Sequence, residues 1–209
     1  MKAPIHSQIP ARGFTLVEMI GVLAIIAVLA SLLLPRIFAA INDARVTSAA
    51  LAINSIRSAS MTYFGKYGRF GDVNGAPITD LTTPAAGNWA QEVLLRGGYL
   101  ERPFTTKISD GAYLYLTNCV TPGTDPTGAN DAYNFDGQPP DNDASGGRYV
   151  LQAVLENVAL EDARELNRKL DGDEFGEGNG TNPVDNRGRV KYNFTGAQSG
   201  TVKIYIAHR

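Results

Sequence analysis

The chain has 209 residues, 44% hydrophobic, 19% charged and 9% aromatic, which is enough to bury a core and excludes a disordered or collagen-like protein. Nineteen Lys and Arg against 21 Asp and Glu give a net charge of -2, which removes any whole-chain electrostatic case for nucleic acid, and no specific nucleic-acid partner is expected. One cysteine and two histidines exclude an intramolecular disulfide and a Cys/His zinc set of the usual spacing, and leave hydrolytic triads short of parts.

From Phe14 to Leu34 the only charged residue is Glu18. As a helix this stretch spans roughly 31 Å, which matches a hydrocarbon core of about 30 Å. A secretory signal would end its shorter apolar run at a small-x-small cleavage site, whereas here the run passes through Pro35 into a further helical pattern. Lys2 and Arg12 precede the span and Arg36 and Arg45 follow it, so charge bias sets no orientation. A carboxylate at Glu18 is costly in a membrane unless it reaches the headgroups or pairs with a cation. Pro35 removes a backbone donor and its ring crowds the preceding turn, which predicts a kink or a locally melted turn near residues 31–35.

Arg12-Gly13-Phe14-Thr15-Leu16-Val17-Glu18, followed by an apolar run closed by Pro35, resembles the prepilin signature of type IV pilins and type II secretion pseudopilins. The likeness covers roughly residues 12–70, and Tyr63-Phe64-Gly65-Lys66-Tyr67-Gly68-Arg69-Phe70 is similar to the end of a pilin long helix. It implies that a prepilin peptidase cuts between Gly13 and Phe14 on the cytoplasmic side and methylates the new Phe14 amine. Residues 1–13 are then a leader, whose loss of Lys2 and Arg12 takes the net charge from -2 to -4. Residues 14–35 become the transmembrane and filament-core half of a long helix, 36–67 its amphipathic half, and 68–209 a globular head. Glu18 is implied to neutralise the Phe14 amine of a neighbouring subunit, and Pro35 to shape the helix for assembly. The implied partners are the peptidase, identical or homologous pilin subunits in a helical filament, an inner-membrane assembly platform, and the lipid bilayer before assembly. The implied place is the bacterial inner membrane, single-pass with a periplasmic head, and then the pilus or pseudopilus.

Beyond Pro35, Val46, Ala49, Ile53, Ile56, Ser60, Tyr63 and Tyr67 recur every three or four residues, which predicts an amphipathic helix ending at Tyr67. A short helix is predicted from Trp89 to Arg96, with Asn88 as cap, Gly97-Gly98 as stop and Trp89 as a core anchor. Strands are predicted at 112–120, 148–156, 189–194 and 201–207, and a second short helix at 161–170. The expected class is therefore α+β: a long N-terminal helix followed by an antiparallel sheet of about four strands.

Between Thr121 and Gly147 there are five Asp, five Gly, four Pro and no Lys or Arg, an acidic surface loop. Asp141 and Asp143 begin like a calcium loop, and Asp171 and Asp173 offer a second carboxylate cluster. Their twelfth positions, Gln152 and Asn182, cannot supply a bidentate carboxylate, so solvated Asp-Gly turns are the simpler reading and no cofactor is expected. The family resemblance admits calcium there, since some pseudopilins bind it in terminal loops. Leu166 to Gly172 followed by Gly188-Arg189-Val190 resembles a helix-turn-strand element near the C-terminus of pilin-like proteins. The lone Cys119 departs from pilins that close a C-terminal loop with a disulfide.

The expected function is a structural filament subunit rather than an enzyme, because no nucleophile-base or metal constellation is present in the sequence. The alternative is a minor pilin whose head acts as an adhesin or ligand-binding module.

Overall fold

The computed structural model describes residues 13–78, 84–119, 133, 148–172, 184–185, 188–194 and 197–208. The chain divides into two compact units, Met1–Ile41 and Asn42–Arg209. Helix α1 runs from Leu16 to Tyr67 and contributes to both.

In the first unit, α1 is mostly apolar, with Glu18 and Arg36 its charged residues, and its side chains from Leu16 to Ile41 are exposed apart from the half-buried Ala30. The helix is continuous through Pro35, which supplies no amide hydrogen of its own, so of the kink or locally melted turn expected near residues 31–35 the melted turn is not formed. Ser31 Oγ donates to Val28 O at 2.8 Å, which occupies a carbonyl of the turn before the proline.

In the second unit the same helix turns amphipathic. Val46, Ala49, Ala50, Ile53, Ile56, Ala59, Ser60 and Tyr63 are buried, the stripe predicted by the three-and-four spacing. The helix stops where Gly68 takes the left-handed conformation (φ 66°) and donates its amide to Phe64 O at 2.7 Å, a glycine C-cap.

That stripe packs on an antiparallel sheet of order β1-β2-β5-β4-β3, built from β1 (Gly111–Cys119), β2 (Arg148–Ala159), β3 (Val184–Asp185), β4 (Val190–Asn193) and β5 (Ser199–His208). The four expected strands are present, and the two-residue β3 adds an edge that is too short to register as an alternating pattern. Leu114, Leu116, Leu151, Ala153, Leu155, Val190, Tyr192, Val202 and Ile204 fill the face toward the helix stripe. Val150, Gln152, Val154 and Lys191 are buried as well, and Tyr133 is fixed on them: its hydroxyl donates to Gln152 Oε1 at 2.9 Å and its ring lies 5.2 Å from Lys191 Nζ.

Between α1 and β1 lie a single turn, α2 (Pro84–Gly87), and a π-helical turn, Ala90–Leu95. The expected short helix is therefore wound more widely than an α-helix. Its signals still hold: Asn88 Oδ1 accepts from Gln91 N at 3.3 Å, and Gly98 is left-handed (φ 73°) at the stop. Trp89 is fully buried, and its indole N–H donates to Gly71 O at 2.8 Å. Its ring meets Tyr63 and Phe70 edge-on at 4.9 and 5.6 Å, so the anchor ties the end of α1 to the loop after it. Helix α3 (Leu160–Asp171) follows β2 directly and buries Ala163, Leu166 and Leu170 in the same core.

Candidate functional site

Gly13, Phe14 and Thr15 precede the first turn of α1. Phe14 is 84% exposed, and a side chain added at Gly13 would meet no atom of the described residues within 4 Å. The fold of this chain therefore does not require glycine at position 13. Any requirement for it comes from whatever grips the extended backbone there.

Thr15 and Glu18 form a reciprocal cap. Glu18 N donates to Thr15 Oγ1 at 3.2 Å, while Thr15 N and Thr15 Oγ1 each donate to Glu18 Oε2 at 2.8 Å. This is a capping box: a Thr and a Glu three residues on satisfy two of the amide donors that every helix N-terminus leaves open. The Thr-x-x-Glu spacing just ahead of an apolar run is the sequence signal of this cap, a role for Glu18 beyond the pairing across subunits that the family resemblance implies. The two roles are compatible. Among the described residues, Glu18 Oε1 accepts no hydrogen bond, and the cap holds that oxygen one turn from Phe14.

The helix that begins at this cap is long and apolar enough to cross a membrane, and its most apolar stretch is not buried against any of the described residues.

Residues 10–34 match the prokaryotic N-terminal methylation motif. The motif is the signature of type IV pilin and pseudopilin precursors, the likeness that the residues around Gly13 carry. It spans the Gly13-Phe14 bond, the Thr15-Glu18 cap and the apolar run up to Leu34. No curated protein and no solved structure matches the chain. The methylation motif and the apolar helix fit a pilin precursor anchored in a membrane, and the motif implies processing by a prepilin peptidase.

The carboxylates considered for calcium are elsewhere. Asp141, Asp143 and Asp173 lie outside the described residues. Asp171 ends α3 with its side chain nearly buried, where Oδ2 accepts from Arg189 N and Val190 N at 2.7 and 2.8 Å and Oδ1 accepts from Arg189 Nε at 3.1 Å. Arg189 Nη2 also donates to Leu170 O. Left-handed Gly188 (φ 71°) packs so close to the Asp171 carboxylate that a Cβ there would sit 2.5 Å from Oδ2. Asp171 is thus the bolt of the expected helix-turn-strand element, holding α3 to the start of β4. Among the described residues no group of three or more His, Cys, Asp or Glu could hold a metal ion.

Two further contacts fix α1 as it enters the second unit. Lys169 of α3 pairs with Asp43 at 2.7 Å, and Arg45 Nε and Nη2 donate to Lys107 O at 3.2 and 2.5 Å.

Proposed function

We propose that the chain is a prepilin, cut between Gly13 and Phe14 and methylated on the new Phe14 amine. Its α1 then bundles with copies of itself into the core of a type IV pilus or type II secretion pseudopilus. The observation that carries this reading is the methylation motif over residues 10–34 placed on an exposed, apolar, capped helix start. Before assembly the subunit sits in the bacterial inner membrane with its head on the periplasmic side, and the assembly platform extracts it from the bilayer. Its work is assembly, without catalysis.

Inside an apolar helix bundle a charge persists only when it is paired, which gives Glu18 Oε1 its partner: the methylated Phe14 amine of an adjacent subunit. Mass spectrometry of sheared filaments should find an N-terminus at Phe14 carrying one methyl group, and an intact Met1 start in assembled protein would overturn the reading. Glu18→Ala should leave membrane insertion and cleavage intact but cut filament yield at least tenfold at matched levels of cleaved subunit. Glu18→Gln should be milder, because the amide keeps part of the cap but cannot neutralise charge.

A further inference from the structure

The first unit is as long as a bilayer is thick. From Leu16 to Ile41, α1 measures roughly 39 Å at the α-helical rise, against about 40–45 Å for a bilayer with its headgroups. Its last residues, Ile37, Phe38 and Ile41, are still apolar and exposed, and the long stem of Arg36 lets its charge reach the headgroup layer. In a bilayer-spanning chain, Asn42, the first residue of the second unit, therefore stands at the headgroup surface by chain connection alone.

Within the second unit, that first turn carries two cations side by side. Arg45 is exposed, and its Nε and Nη2 donate to Lys107 O at 3.2 and 2.5 Å, which holds the exposed Lys107 next to it. Arg45 Nη1 and Lys107 Nζ meet no carboxylate among the described residues. The acids nearest in sequence are otherwise engaged: Asp43 pairs with Lys169 at 2.7 Å, and Asp110 accepts from Asn157. Two segments far apart in sequence thus bring their positive charge together beside Asn42.

We infer that Arg45 and Lys107 form a docking surface for anionic phospholipid headgroups, with the guanidinium and the ammonium donating to phosphate oxygens. The inference rests on the membrane reading above. An acidic protein would meet the same two charges, but only the bilayer is brought to them by the chain itself, since Arg45 follows Ile41 by a single helical turn. The cations suit a negatively charged membrane surface, where each exposed Lys or Arg adds attraction that salt weakens. The contact ties the first turn of the head to the membrane until the subunit is withdrawn from it.

The test uses the full chain carrying Cys119→Ser to remove the native thiol and a fluorophore on Thr105→Cys, an exposed position two residues before Lys107. The chain is placed in lipid nanodiscs that contain a lipid with a quencher on its headgroup. Quenching should be about threefold stronger in phosphatidylglycerol discs than in phosphatidylcholine discs, and about 0.5 M NaCl should abolish the excess. Lys107→Gln should remove most of the excess while its backbone carbonyl still accepts from Arg45, so the loop keeps its tether. Arg69→Gln, at an exposed cation just past the C-terminal end of α1, should leave the excess unchanged. Equal quenching in the two lipids would assign the pair to an acidic protein and overturns the inference. So does an excess that survives Lys107→Gln, or one that falls as far with Arg69→Gln. In each of these cases a chain embedded in the discs leaves the membrane reading standing, whereas a chain that enters neither kind of disc removes both.

Discussion

At the scale of single residues, the structure shows which polar side chains the fold depends on. From a nearly buried position, Asp171 accepts two backbone amides and a guanidinium hydrogen bond at the start of β4. Asp171→Asn keeps the shape but turns one acceptor into a donor facing Arg189. It should destabilise the head by about 2–4 kcal/mol in urea denaturation, with the same loss in calcium and in chelator. A loss that appears only when calcium is present would mean that the carboxylate serves an ion instead. Tyr63 is the second such residue. Burial pushes its hydroxyl up to about 12, opposed by a backbone hydrogen bond at Gly71 and reinforced by the Asp72 charge, while the hydroxyl donates to Asp72 O at 2.5 Å. Because the folded value lies above the ordinary tyrosine value of about 10, its contribution to stability is full below pH 10 and is lost as pH rises toward 12. Melting temperatures between pH 9 and 12 should fall across that window, and Tyr63→Phe should flatten the fall while lowering stability at pH 8.

At the scale of elements, the legible parts of the sequence were those whose period matched their burial. The stripe from Val46 to Tyr63, the Val202-Ile204-Ile206 alternation of β5 and the α3 span each bury one face, and each was recovered to within two residues. The parts that were not legible are set by contacts distant in sequence. The two-residue β3 exists because β4 offers it an edge, and the π-helical winding at Ala90–Leu95 arises where Trp89, Val93 and Leu94 must all reach the core. At Pro35 the local signal for a break is outweighed by the helical residues on either side, and α1 runs through it. The bulge in β2 is a further long-range device. Asn157 sits there in the left-handed region (φ 54°), donates to Asp110 Oδ2 at 2.5 Å and accepts from Ser199 Oγ at 2.6 Å. Asparagine tolerates that conformation and a β-branched residue does not. Asn157→Val should therefore cost about 2–3 kcal/mol through strain plus two lost hydrogen bonds, whereas Asn157→Gly loses only the bonds and should cost roughly half as much. Equal losses for the two, read from chemical denaturation, would show that the left-handed backbone relaxes freely.

At the scale of the whole molecule, the question is where the part that folds in water begins. The compact second unit starts at Asn42, and its first helical turns are already held from both sides by Asp43 to Lys169 and by Arg45 to Lys107 O. The hydrophobic core begins at Val46, one turn later, and runs through α1, the sheet, α3 and the Trp89 anchor. From Leu16 to Ile41 the helix carries side chains that are mostly apolar and, apart from the half-buried Ala30, exposed, a surface that water does not favour and a bilayer or a bundle of like helices does. A chain beginning at Asn42 should therefore be a soluble, cooperatively unfolding monomer, while the chain beginning at Phe14 should need detergent. Beginning instead at Val46 removes Asp43 and Arg45 but none of the core, so that chain should still fold with a lower melting temperature, whereas beginning at Ile53 deletes Val46, Ala49 and Ala50 from the core and should not fold. Sedimentation and thermal melts of the three truncated chains check the order. If the chain from Asn42 aggregated at the rate of the one from Ile53, the stripe on α1 would not be what closes the core, and the division of the helix at Asn42 would have to be given up.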